Sequence, residues 1–124
     1  MSEVMANVKE KNHAALFHAV TGGVTAPRGY KAAGIYCGIR KVKKDIALIT
    51  SDVPADLAAV FTLNKVLAAP VIVDKQLIAQ GEKKCSAIIV NSGNANACTG
   101  EQGMKDAWAM VKATALALDL PRRK

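Results

Sequence analysis

Residues 85–118 read CSAIIVNSGNANACTGEQGMKDAWAMVKATALAL, and this stretch decides the fold class. Cys85–Val90 is a continuous apolar run rich in β-branched residues, the pattern of a strand buried on both faces. From Met104 the period changes. Met104, Ala107, Trp108, Val111, Ala115 and Leu118 recur at the three- and four-residue spacing of a helix, with Lys105, Asp106 and Lys112 on the opposite face. Thr99 and Gln102 have the spacing of a capping box, the Thr hydroxyl on the Gln102 amide and the Gln102 side chain reaching back. Glu101 suits the positive end of the helix dipole, and Pro121 stops the helix. A strand feeding a helix in this way reads as an α/β or α+β domain.

Upstream, Lys31–Ile39 reads as a strand, with Gly34 and Gly38 marking close backbone approach or a bulge. Asp45–Thr50 reads as its antiparallel partner across a solvated charged turn, Arg40–Asp45. Ser51-Asp-Val-Pro54 breaks the second strand. Ala58–Thr62 and Ala69–Val73 are two further short strand candidates. Asp74 caps a short helix over Lys75–Gln80, ended by Gly81 in the position a C′ glycine prefers. Turns at Thr21–Gly23 and Pro27–Gly29 open this body of residues 21–124, and residues 1–20 precede it as a loosely held arm.

With 124 residues the chain is one domain at most. Hydrophobic residues make up 51% of it and aromatics only 4%, so its core is aliphatic with few rings. No apolar run reaches the ~18 residues of a membrane span, and the N-terminus has no uninterrupted apolar segment of signal-peptide length. The expected location is the cytoplasm. The net charge of +7 is concentrated in Arg40, Lys41, Lys43 and Lys44 and in Arg122, Arg123 and Lys124. The aromatics are scattered away from these clusters, so a nucleic-acid surface with stacking platforms is not indicated. Cys37, Cys85 and Cys98 are too widely spaced for a metal or redox motif and read as reduced, mostly buried thiols. His13 and His18, five residues apart, do not share a helical face and read as part of the arm.

The segment that stands out chemically is Asn91–Gly100 (NSGNANACTG). Asn91, Asn94, Asn96, Thr99 and Gly100 crowd amide and hydroxyl groups at the C-terminal end of a strand, where ligand sites of open sheets tend to lie. Two readings stand side by side: a loop whose asparagines satisfy its own backbone, or a loop that supports a site at the following helix N-terminus. Cys98 lacks a nearby base and is not read as a nucleophile. Asp52 and Asp56 flank a turn and read as solvated. No nucleotide, zinc-protease or serine-hydrolase motif is present.

Gly23–Gly34 (GVTAPRGYKAAG), Ser51–Pro54 (SDVP), Ala58–Thr62 (AAVFT), Ala68–Val71 (AAPV) and above all Val90–Gly103 (VNSGNANACTGEQG) resemble, in order, the bifunctional glutamate N-acetyltransferase/ornithine acetyltransferase family of arginine biosynthesis. The resemblance implies a layered sheet-and-helix fold like that of the N-terminal-nucleophile hydrolases. It implies a precursor that cuts itself before an internal Thr, and transfer of acetyl from N-acetylornithine, or in some members acetyl-CoA, to glutamate through that Thr. It assigns no resident cofactor or metal. The implied partners are the rest of the α chain and the self-cleaved β chain, in a hetero-oligomer. The nucleophile and the STG oxyanion motif of the family have no counterpart among residues 1–124, so none of its catalytic residues maps here, and the chain alone is expected to be inactive. Thr99-Gly100 belongs to the ACTG motif, not to the oxyanion pair. The alternatives are a related self-cleaving aminopeptidase and a non-enzymatic module that uses the basic 40–44 turn.

Overall fold

The computed structural model describes residues 18–120. The chain turns at Pro27–Gly29, where the Tyr30 amide donates to the Pro27 carbonyl. It then enters β1 (Tyr30–Ile35), which pairs antiparallel with β2 (Ile46–Asp56), with Tyr30 opposite Ser51 and Ile35 opposite Ile46. The hairpin read from the sequence is present, but β1 ends at Ile35 and not at Ile39. The reason is Asp45. Its carboxylate takes the amides of Cys37 and Arg40, so residues 36–45 fold into a loop and do not continue the ladder. Ser51–Pro54 does not end β2 as expected. The register slips between Thr50 and Ala55, the Ser51 hydroxyl donates to the Val53 carbonyl, and the strand resumes to Asp56. Such an irregularity accommodates a proline, which has no amide to give the ladder. Asp52 and Asp56 are solvated as read, each paired with an exposed lysine, Lys31 and Lys84 respectively.

β3 (Lys84–Asn91) pairs antiparallel with the other edge of β2, so the sheet order is β1-β2-β3. Successive side chains alternate between faces. Leu48 opposite Ile89 and Ile46 opposite Asn91 lie on one half-buried face, which Asn91 turns toward the helices. Ile88 and Val90 lie on the other face and are 51% and 48% exposed, so the expectation of a strand buried on both faces is corrected to one covered face.

Two helices cover that face: α1 (Ala69–Ala79) and α2 (Gly100–Ala117). Ala69–Val73 is the first half of α1, not a strand. Pro70 falls in the first helical turn, where its missing amide costs no hydrogen bond, and this outweighs the β-branched Val71-Ile72-Val73. Asp74 is therefore inside the helix and is not its cap. Although the residue is exposed, partial desolvation by its neighbours raises the pKa of its carboxyl. Gly81 ends α1 as expected, with positive φ and its amide on the Ile78 carbonyl. Ala58–Thr62 forms no strand.

The α2 stripe is half-buried along its whole length, and its polar face is exposed. Trp108, in the middle of that stripe, is not sealed in a core. It lies half-buried in a surface groove opposite Gln76 of α1. Among the described residues the only fully buried ones are Ala69, Val73 and Asp45. The cysteines are free, but Cys37 and Cys98 are exposed, because both fall in loops, and only Cys85 is half-buried. His18 is exposed, whereas His13, most of the 1–20 arm, Pro121 and the closing Arg122–Lys124 lie outside the described residues.

Val73→Ala is expected to cost about 2 kcal/mol, the worth of the buried methyl groups and the gap they leave. Val60→Ala, at a side chain 98% exposed, is expected to stay within about 0.5 kcal/mol. Chemical denaturation of the two variants beside the parent chain measures both. Equal losses would contradict the placement of Val73.

Candidate functional site

The loop that leaves β3 is fastened, at that same end of the sheet, by the residue that precedes β2. The Asp45 amide donates to the Ile35 carbonyl, its carboxylate accepts from Cys37 at 2.7 Å and Arg40 at 2.9 Å, and its carbonyl accepts from the Ser92 amide at 2.9 Å. One residue thus joins the end of β1, the start of β2 and the end of β3. Burial pushes the Asp45 carboxyl pKa up, but the hydrogen bonds from the Arg40 and Cys37 amides outweigh it and hold the value at about 2. The same carboxylate, by hydrogen bonding and then by its charge, helps to raise the pKa of the Cys37 thiol. Arg40 continues the link by donating to the Ser92 hydroxyl at 3.4 Å. Its aliphatic stem lies against Gly93, where φ is +102° and a β-carbon would collide with Arg40 Cγ. Backbone conformation and space both call for glycine there.

Beyond Gly93 the asparagines turn mostly toward one another and toward the chain. Asn94 Nδ2 donates to Asn96 Oδ1 at 3.2 Å. The Asn96 carbonyl accepts both the Ala69 amide, at the start of α1, and the Thr99 hydroxyl. An isolated bridge between Ala68 and Ala97 adds to this seam. The capping box expected at α2 is not formed. Thr99 gives its hydroxyl to Asn96, and Gln102 Nε2 donates forward to Asp106 Oδ1 at 2.7 Å. The tight turn through Cys98 (φ +58°) and Gly100 (φ +60°) brings Thr99 back over the first helical turn. A β-carbon at Gly103 would overlap Thr99 Oγ1, so the second glycine of the TGEQG run makes room for that hydroxyl.

These constraints leave a cleft of about 340 Å³ between the start of α1, the asparagine loop and one face of α2. Asn91, Asn94, Asn96 and Thr99 line it, and Gly100 does not. Sequence reasoning missed Gln102 and Asp106, which form its polar wall on α2, and Pro70 with Met110 on its apolar side. The signal was available: Thr99, Gln102, Asp106 and Met110 are spaced to share a helix face. The cleft offers amide, hydroxyl and carboxylate groups for holding polar atoms. Cys98 is not among its walls, and the Thr99 hydroxyl is engaged by a carbonyl.

The Asp45 interaction has a defined pH dependence. Its pKa is lowered from 3.8 to about 2, so its contribution to stability is present above about pH 4 and is lost as the pH falls toward 2. Thermal denaturation between pH 5 and 2 is expected to show this loss, and Asp45→Asn is expected to be less stable at pH 5 and to flatten that part of the profile. An unchanged profile would contradict the assignment.

A family model described as the ArgJ family matches residues 31–124. The arginine biosynthesis bifunctional protein ArgJ of Caldanaerobacter subterraneus subsp. tengcongensis is 50% identical over 99 residues, which cover 80% of this chain and 24% of that protein. Its counterpart in Listeria monocytogenes serotype 4b is 51% identical over 102 residues, covering 82% of this chain and 25% of that protein. Among solved structures, ArgJ from Bacillus halodurans matches with a TM-score of 0.77 and 48% identity, covering 81% of this chain and 52% of that one. Ornithine acetyltransferase from Mycobacterium tuberculosis, crystallised with ornithine, matches with a TM-score of 0.71 and 45% identity, over 78% of this chain and 50% of that one. The chain thus spans about a quarter of the length of the curated relatives it matches. With its sheet and helices superimposing on these structures and half of its matched residues identical to the relatives, the chain belongs to the ArgJ family.

Proposed function

We propose that this chain is the N-terminal α-chain part of an acetyltransferase of arginine biosynthesis. The complete protein moves acetyl from N-acetylornithine to glutamate, with acetyl-CoA as a further possible donor and no resident cofactor. The observation that carries the reading is the near-50% identity to ArgJ proteins across the segment that builds the asparagine loop. The same ~100 residues are a quarter of the curated relatives but about half of each crystallised chain, which supports a precursor divided into two chains. The partners in this reading are the remainder of the α chain and the β chain in a hetero-oligomer. The proposed setting is the cytoplasm, and no helix among the described residues is long and apolar enough to cross a membrane.

In the proposed reaction a threonine hydroxyl outside this segment attacks the acetyl carbonyl of N-acetylornithine. The C–N bond breaks, the proton passes to the departing amine, and an acetyl-threonine ester remains. The glutamate amine then attacks that ester and regenerates the hydroxyl. This chain contributes no nucleophile. Its asparagine loop supports the site by holding the end of β3, the start of α1 and the start of α2 in one geometry, and small displacements of reacting groups are costly.

The 124-residue chain alone is expected to give no acetyl transfer between N-acetylornithine and glutamate, and turnover by the purified chain would refute the division of labour. In the complete self-cleaved enzyme, Asn94→Ala and Asn96→Ala are each expected to cost about 1 kcal/mol or less, since the bond lost is exposed. A several-fold fall in kcat/KM should accompany that loss. Full activity with native stability in both variants would remove the loop from the mechanism.

A further inference from the structure

Trp108, the single tryptophan of the chain, opens onto a groove of about 460 Å³ whose other walls are Gln76 of α1 and Met104, Lys105, Ala109 and Lys112 of α2. Lys105 precedes the tryptophan by three residues and Lys112 follows it by four, the spacing that gathers side chains on one helix face. The two lysines stand about 10 Å apart along the helix axis, with the indole between them. Asp106 turns the other way, into the asparagine cleft, where it accepts from Gln102. The helix thus sorts its charges: no carboxylate lines the groove, and both of its charged groups are cations.

The polar groups of the groove are uncommitted. Among the described residues the ion pairs use Lys31 and Lys84, and Lys105 and Lys112 have no acidic partner. The Gln76 side-chain amide and the indole N–H take part in no hydrogen bond among the described residues. The cation–π contact next to the groove is made by Lys75 on Phe61, and neither lysine of the groove lies over the indole.

Each of these groups has its complement in one class of ligand. A planar base stacks on an indole, a contact worth about 1–3 kcal/mol. A glutamine amide pairs with the donor–acceptor edge of adenine. Two ammonium groups hold two phosphates as point charges. A groove of this volume suits a small molecule.

We propose that the groove between Gln76 of α1 and Trp108 of α2 binds an adenine nucleotide with at least two phosphates, the base on Trp108 and Gln76 and the phosphates on Lys105 and Lys112. The site shares no residue with the asparagine cleft and does not depend on acetyl transfer. Acetyl-CoA carries the same adenine and diphosphate, and only its arm of the test rests on the acetyltransferase reading.

Trp108 is its own reporter. ADP titrated into the 124-residue chain at physiological salt is expected to quench its emission saturably, with half-saturation below about 1 mM. Lys105→Ala/Lys112→Ala is expected to weaken ADP about tenfold or more, whereas Lys41→Ala/Lys43→Ala, which removes the same charge from the 36–45 loop, leaves it unchanged. Gln76→Ala is expected to reduce the preference for ADP over CDP. Acetyl-CoA that displaces ADP would assign the site to the nucleotide end of the acetyl donor, and acetyl-CoA that does not would assign it to free nucleotide; both uphold the nucleotide site. No saturable quenching by ADP up to about 10 mM would overturn the proposal. So would equal binding of pyrophosphate and ADP, tighter binding of a single-stranded oligonucleotide than of ADP, or unchanged affinity in the Lys105/Lys112 variant. Every readout is binding, so an inactive chain leaves this result intact and refutes only the acetyltransferase reading.

Discussion

The Asp45 carboxylate is the constraint on which the rest of this structure depends. It is buried, 2% exposed, in a chain whose other fully buried described residues are Ala69 and Val73. A buried carboxylate is tolerated only where its charge is met by hydrogen bonds, and here two backbone amides of its own loop meet it. Placing that charge determines where β1 stops and how residues 36–45 turn. Through the carbonyl of the same residue, it also determines where β3 releases the chain at Ser92. The asparagine loop starts from that fixed point. Its further course follows from two steric demands, Arg40 against Gly93 and Thr99 against Gly103.

From this fixed end the loop spreads its ties outward. The Asn96 carbonyl serves both the first amide of α1 and the Thr99 hydroxyl, so one peptide group sets the spacing between the helices. The cleft is what that spacing leaves open. Its polar wall comes from α2 and its apolar side from Pro70 and Met110. On the far side of the sheet, and along residues 57–68, which link β2 to α1, aliphatic side chains face outward.

What was legible in the sequence follows the reach of its signals. Periodicity located the β1–β2 hairpin, β3 and the full stripe of α2, because each is a repeating pattern within one element. Gly81 was legible because a C′ glycine acts locally. Ala69–Val73 was misread because β-branched residues in a short run cannot separate strand from helix, and the proline that favours a first helical turn also fits an extended segment. The depth of Trp108 was not legible, because periodicity shows which face packs, not how deeply. Asp45 was passed over as the end of a charged turn. Its partners are backbone amides, which leave no trace in residue types. Asn91, Asn94, Asn96 and Thr99 were gathered correctly at one place, but Gln102 and Asp106 were assigned only to a cap and a polar face. Their meeting at the cleft depends on how α2 sits over the loop.

The most direct test of this account is amide hydrogen exchange at neutral pH, resolved by residue, across 36–45 and at Ser92. The Cys37, Arg40 and Ser92 amides should be strongly protected, because all three donate to Asp45, while Lys41 and Val42 between them exchange freely. If Cys37, Arg40 and Ser92 exchange as fast as Lys41 and Val42, Asp45 does not hold the loop and the account built on it is wrong.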